Sequence, residues 1–261
     1  AVALACGAEP AAPSPASDAE EGTAAAAEPA AAPSPAEQGV ADPEAAAVAA
    51  RVLDAMGGAD AWSEARFLRF GFAGRRQHAW DRWTGLHRVE GQTQEGESYV
   101  VIHDLDTREG RAWVDGEEVA GDRAAELLEN AYGAWVNDTY WLLMPTKLRD
   151  PGVTLAHEGR REVDGSEYEV LHLSFAGVGL TPGDQYWAYV HPESGQMDYW
   201  AFRLESMPPD AEPVLWRWTG WQTYEGVRLA SRREQVGEDR VLELSPIEVS
   251  REVPAGVFEA P

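Results

Sequence analysis

The chain has one cysteine, Cys6, in 261 residues. A disulfide within the chain is therefore excluded, and the fold must hold through packing and hydrogen bonds. No run of 18 apolar residues occurs, which excludes an ordinary membrane-spanning helix. Bases are scarce: 21 Lys and Arg stand against 45 Asp and Glu, a formal net charge of −24. Such a surface repels nucleic acid and anionic headgroups, so neither a nucleic-acid partner nor a polybasic membrane patch is expected. Catalytic motifs are missing too. There is no Gly-x-Ser-x-Gly elbow and no phosphate-cradling glycine loop. His157-Glu158 opens like a zincin motif, but no second His follows at the needed spacing. His78, His87, His103, His157, His172 and His191 are scattered along the chain. On a strand, Asp104 and Asp106 of His103-Asp104-Leu105-Asp106 would share a face, as two hard ligands for Ca²⁺ do; a solvated strand end in an acidic protein explains them better. Asn137-Asp138, between two aromatic runs, reads as a helix break, and Arg75-Arg76 as an offset to nearby acids. These absences predict a protein that is not an enzyme and carries no metal or cofactor.

What is present starts with Cys6 itself. Ala3-Leu4-Ala5-Cys6-Gly7 places small residues on both sides of the thiol after a short apolar stub, the pattern of a lipobox. Residues 1–6 are read as the remainder of a signal peptide ending at an acylated Cys6. A single acyl chain anchors only marginally, so a stable anchor needs several. Residues 7–43 hold seven acids, no base and no aromatic, and repeat Ala-Pro-Ser-Pro at 12–15 and 32–35. That composition cannot bury enough apolar area to offset ordering, so the segment is expected to be a disordered tether. As a coil it reaches about 35 Å, and as polyproline II about 115 Å. The expected membrane contact is acylated Cys6, and the expected place is the cell envelope, at the outer membrane on its periplasmic or surface face.

Residues 44–261 read as one domain. Asp42-Pro43-Glu44 supplies a cap, a first-turn proline and an acid near the positive end of a helix. Val48, Val52 and Met56 follow at helical spacing, and Gly57-Gly58 stops the helix. From Phe67 the period becomes two. Strands are expected near 67–72, 74–82, 86–90, 97–104, 110–115, 170–175, 185–191, 196–205, 214–225, 227–236 and 240–249, with turns at Asp115-Gly116 and Asp164-Gly165. One amphipathic helix interrupts from Arg123 to Val136, and Trp141-Leu142-Leu143-Met144 extends its apolar run to Pro145. The predicted class is α+β: a curved antiparallel meander of about ten strands, a half-barrel, with helices packed against its concave face.

The domain holds eleven tryptophans. Any one of them is best read as core. Together they exceed what a single layer can cover, and the surplus must meet helices, a ligand or a partner. The expected cavity lining is Trp80, Leu128, Trp135, Trp141, Met144, Trp187, Trp200 and Trp218, beneath the segment 123–145.

The meander, the helical cover and the N-terminal cysteine together resemble the lipoprotein-localisation fold of the LolA/LolB-like proteins. The ending Val253-Pro254-Ala255-Gly256-Val257-Phe258-Glu259 resembles their terminal segment. A closer resemblance is to an uncharacterised family of bacterial lipoproteins with that fold. It rests on Gly57-Gly58-Ala59-Asp60-Ala61-Trp62, Trp80-Asp81-Arg82-Trp83-Thr84-Gly85 and Trp135-Val136-Asn137-Asp138-Thr139-Tyr140-Trp141. Met144-Pro145, Lys147-Leu148-Arg149-Asp150-Pro151-Gly152-Val153, Gln185-Tyr186-Trp187 and Trp218-Thr219-Gly220-Trp221 complete it. The resemblance implies a concave apolar face able to hold an acyl chain. The expectation is a lipid-anchored protein whose half-barrel binds such an apolar ligand. The alternative is a surface or assembly module whose aromatics are core or partner interface.

Overall fold

The computed structural model describes residues 41–175, 180–208 and 210–261. Cys6 and residues 7–40 of the expected tether lie outside the described residues.

Helix α1 (Pro43–Ala55) starts as its sequence dictates. The Asp42 carboxylate accepts from the Ala45 amide at 2.7 Å, with Pro43 in the first turn. The helix buries Ala45, Val48, Ala49 and Val52. It ends at Gly57, whose φ of +108° suits glycine; a Cβ there would lie 2.1 Å from the Gly226 carbonyl oxygen. The chain then turns at once into α2 (Gly58–Glu64), a helix not foreseen beyond the double-glycine stop.

Two seven-stranded antiparallel sheets follow, neither of them closed. The first contains β1 (Phe67–Phe72), β2 (Arg76–Asp81), β3 (Leu86–Gln92), β4 (Ser98–Asp104), β5 (Gly110–Val114), β6 (Glu117–Val119) and β14 (Ile247–Ser250), in the order β14-β1-β2-β3-β4-β5-β6. The second contains β7 (Val153–Val163), β8 (Ser166–Phe175), β9 (Gln185–Val190), β10 (Met197–Arg203), β11 (Val214–Tyr224), β12 (Val227–Gln235) and β13 (Val241–Glu243), in the order β13-β12-β11-β10-β9-β8-β7. With three α-helices this is the expected α+β half-barrel of meandering strands. Among the described residues there are fourteen strands, against the ten or so expected. β7 was hidden by its charged run His157-Glu158-Gly159-Arg160-Arg161-Glu162, and β6 is only three residues long.

The expected strand 240–249 is two strands, one in each sheet. Pro246 offers no N–H to a ladder, so pairing stops there and the chain crosses between sheets. Gly71 of β1 accommodates the crossing: its amide donates to the Pro246 carbonyl at 3.0 Å, and a Cβ would lie 2.3 Å from the Ser245 carbonyl oxygen.

Helix α3 (Gly121–Leu143) runs unbroken through Asn137-Asp138, so the expected helix break is corrected. Asp138 does not turn back to compete for its own backbone, because its carboxylate is taken by β2 side chains described below. A short 3-10 turn, Met144–Thr146, ends the segment at Pro145. The N-terminal half of α3 covers Val89, Val101 and Ala112 of the first sheet with Leu127 and Ala131. Its C-terminal half enters the main core, where α1 and both sheets also meet. Among the described residues no helix is long and apolar enough to cross a membrane.

Candidate functional site

The main core is an aromatic interior built by register. Trp200 of β10 pairs with Trp216 of β11, and Trp218 follows two residues on, on the same face. Trp141 from α3 meets Trp200 edge-on at 4.8 Å and Trp216 at 5.1 Å between centroids. Tyr140 meets Tyr186 at 5.0 Å and Trp200 at 5.8 Å. Trp221 stands three residues from Trp218, a spacing that a regular strand sends to the opposite face. Gly220, with φ of +69°, lies between them, and the two rings stack at 6.1 Å.

These rings carry donors without acceptors. The indole N–H groups of Trp200, Trp216, Trp218 and Trp221 and the Tyr140 hydroxyl are buried with no hydrogen-bond partner among the described residues. Buried polar groups are nearly always paired, and each unpaired one costs about 1–3 kcal/mol. Burial, with Tyr186, Asp150 and Asp184 nearby, pushes the Tyr140 hydroxyl well above its usual pKa, so it stays a donor.

Arg233 of β12 lies fully buried beneath this floor. Its guanidinium stacks 3.4 Å from the Trp218 ring centroid. It donates to the carbonyls of Trp141 (2.7 Å), Ala230 (3.0 Å) and Arg232 (3.0 Å). The Trp141 carbonyl belongs to the last turn of α3, the negative end of the helix dipole. Burial pulls the Arg233 pKa far down.

Of the eight residues expected to line a cavity, Trp141, Met144, Trp200 and Trp218 come together in this core, and Trp80 packs on its edge. Trp135 meets Trp80 edge-on at 5.4 Å. Leu128 packs instead with the cluster under the first half of α3. Trp187 faces the other side of the second sheet, near Tyr189 and Tyr199, and stacks on His172 at 4.9 Å. Two open clefts, of about 390 and 440 Å³, lie on the first sheet, and none of the eight residues lines either.

A second constellation went unseen in the sequence. The scattered histidines are corrected by the fold: three of them form one row across β2, β3 and β4. His78 Nδ1 lies 3.0 Å from His87 Nε2, and His87 Nδ1 lies 2.8 Å from His103 Nε2. His78 Nε2 lies 2.8 Å from Asp138 Oδ2. Arg76 grips the same carboxylate with Nε at 2.8 Å and Nη2 at 3.0 Å, and Asn137 donates to it at 2.8 Å. Arg75-Arg76 is thus more than a general offset to acids: Arg76 has a specific buried partner. Asp138 and the three rings are at most 1% exposed. Burial and the neighbouring rings push the His87 pKa well down, and burial pushes His103 to about 4. The row was legible in principle. A β2–β3 turn at Thr84-Gly85 brings His78 diagonal to His87, and the next hairpin sets His87 opposite His103.

The Asp104 region is a turn. β4 ends at Asp104, whose Oδ1 accepts from the Asp106 and Thr107 amides at 2.9 and 2.8 Å. Among the described residues no group of three His, Cys, Asp or Glu could hold a metal ion.

No family model and no curated protein matches the chain. Several solved structures do. A DUF1329 family protein from Desulfovibrio piger shares 10% identity over 82% of this chain and 97% of its own, with a TM-score of 0.42. A LolA superfamily protein from Nitrosomonas europaea shares 11% over 79% and 95%, at 0.41. A putative outer membrane lipoprotein-sorting protein domain from Vibrio parahaemolyticus shares 7% over 77% and 93%, at 0.39. All three scores lie below 0.5, and the likeness says nothing of what this chain is or holds.

Proposed function

We infer that this chain is a lipid-anchored envelope protein whose aromatic interior binds an amphiphile, an acyl chain bearing oxygen acceptors. The carrying observation is the set of buried, unpaired donors on Trp200, Trp216, Trp218, Trp221 and Tyr140. The four indoles can only donate, and the Tyr140 hydroxyl, held protonated by burial, donates as well as accepts, so the complementary ligand is apolar with ester, carboxylate or ether oxygens. Cys6 is the anchor in this reading, and the chain from residue 7 up to the start of the described domain at Ala41 is its tether, since Asp42 and Pro43 already belong to the start of α1. Native mass spectrometry of the chain purified from its own host should show a co-purifying acyl lipid, and a fatty acid should shift tryptophan fluorescence saturably. A bare mass together with flat fluorescence would sink the ligand. Cys6→Ser should move the protein from the membrane to the soluble fraction; a variant that still sediments with membrane ends the anchor reading.

A second reading makes the protein an assembly module with these aromatics as core. The close edge-to-face packing of Trp141, Trp200 and Trp216 favours it. It expects no lipid and no fluorescence change.

A further inference from the structure

The Arg76–Asp138–histidine network joins an open cleft to a buried lone pair. Arg76 lines the cleft of about 390 Å³ together with Tyr99, Ser98 and Gln92, and its side chain is 29% exposed. At the far end, His103 Nδ1 is buried and has no hydrogen-bond partner among the described residues. The carboxylate sets the direction of everything between. An ionised Asp138, gripped by Arg76, only accepts, so His78 donates to it from Nε2. The Nδ1 of His78 is then a lone pair, and His87 must donate to it from Nε2. By the same step His103 donates from Nε2 to His87 Nδ1. All three rings are neutral Nε2–H tautomers aimed at Asp138, and the row ends in the bare Nδ1 of His103. A row of this kind has two polarities, and one added proton converts the first into the second.

We propose that Asp138, His78, His87 and His103 form a proton relay, in which a proton taken up at His103 Nδ1 is delivered to the His78–Asp138 hydrogen bond and loosens the hold of Asp138 on Arg76 at the cleft. The proton adds to the His103 Nδ1 lone pair. His103 passes its Nε2 proton to His87 Nδ1, and His87 passes its Nε2 proton to His78 Nδ1. The His78 Nε2 proton then stays in the bond to Asp138 Oδ2. One proton has been bound: His103 and His87 have each broken one N–H bond for the one formed, and His78 has gained one, so both of its ring nitrogens carry a proton. His87 and His103 end neutral, with their protons on Nδ1. The added charge leaves the dry middle of the row and settles beside its carboxylate. That is where it costs least, because burial and mutual repulsion oppose a charge on His87. The groups facing the row are few. Asp138 comes from α3, Arg76 from β2, and Tyr99 and Asp104 from β4. Tyr99 is held protonated by burial. Asp104 draws a proton toward His103, more weakly than burial opposes it. Phe70 stacks on His78 at 4.7 Å and adds no charge. The relay is independent of whatever the aromatic interior holds.

The test is an acid titration of the full chain labelled with ¹⁵N in histidine and arginine, followed by NMR. His87 and His103 should pass together from Nε2–H to Nδ1–H without becoming imidazolium, while exchange of the Arg76 Nε–H with water speeds up at least fivefold. Retention of Nε2–H down to acid unfolding overturns the relay. So does His87 or His103 turning to imidazolium, or either of the two changing alone. His87→Phe interrupts the row and should uncouple Arg76 exchange from pH; coupling that survives this substitution also refutes it. Should the variant fail to fold, the titration of the unaltered chain decides alone.

Discussion

Asp138 shows how one side chain can organise a region without being exposed at all. It is 0% exposed, yet it is met by an arginine, a histidine and an asparagine amide. Asp138→Asn keeps the shape and removes the charge that Arg76 answers. Breaking a buried pair commonly costs 3–5 kcal/mol, because one charge is left uncompensated. Arg76 is partly exposed, so we expect the low end, about 3 kcal/mol, read from urea unfolding. A loss under about 1 kcal/mol would mean that cleft water serves Arg76 as well as the carboxylate does. The histidines make a separate prediction about pH. His87 is held well below 6.5, and His103 falls from 6.5 to about 4. Between those values the unfolded chain binds protons on these rings that the folded chain does not, so stability rises with pH there. It is fully present above about 6.5 and is lost as pH falls toward 4. His103 alone accounts for about 3 kcal/mol over that window. Urea midpoints measured from pH 7 to pH 4.5 should fall steadily, and constancy across the range would contradict the burial of these rings.

At the scale of elements, glycine decides two outcomes in opposite directions. Gly71 of β1 lies under the crossing between β13 and β14, with no room for a Cβ beside the Ser245 carbonyl. Gly71→Ala should cost about 2–3 kcal/mol, as overpacking does, and should lower the urea midpoint without changing the slope. Gly133 sits inside α3 with nothing within 4 Å of a built Cβ. Gly133→Ala should stabilise the helix by about 0.5–1 kcal/mol; a loss would show that the position is not open as described. The same elements show what the sequence made legible. α1 was readable end to end because Asp42, Pro43 and Gly57 are local signals acting on their own backbone. Most hairpins were readable because their alternation is local too. β7 was not, because its outer half is solvated and its inner face shows only Val153 and Leu155 as buried apolar residues. The split between β13 and β14 was not, because it depends on β1, some 175 residues earlier in the chain. Asn137-Asp138 looked like a break because its partners, Arg76 and His78, are about 60 residues away.

For the molecule as a whole, the question is whether the aromatic interior is a finished core or a binding site waiting for its ligand. Composition alone predicted a surplus of aromatic area, and the fold gathers it: four of the eight expected lining residues meet in one cluster. Period-two reasoning could also have placed Trp187 outside, since it alternates with Tyr186 and Ala188, both of which pack inward. What no sequence rule supplied was the row of unpaired indole donors, which depends on what each ring finds opposite it in three dimensions. The two readings separate through linkage. A ligand that binds only the folded state stabilises it by RT ln(1 + [L]/Kd), about 2.7 kcal/mol at a hundredfold excess over Kd. A long-chain fatty acid should therefore raise the unfolding temperature in a concentration-dependent way, and an alkane of equal length, lacking acceptors, should do so less. Trp200→Phe and Trp218→Phe each remove one indole N–H and keep an aromatic ring. In the binding reading, each should narrow the gap between fatty acid and alkane. In the core reading, neither ligand moves the unfolding temperature, and both substitutions change stability alone, through the lost volume and the relief of an unpaired donor. A fatty-acid effect that persists undiminished in both variants would place the ligand away from these indoles.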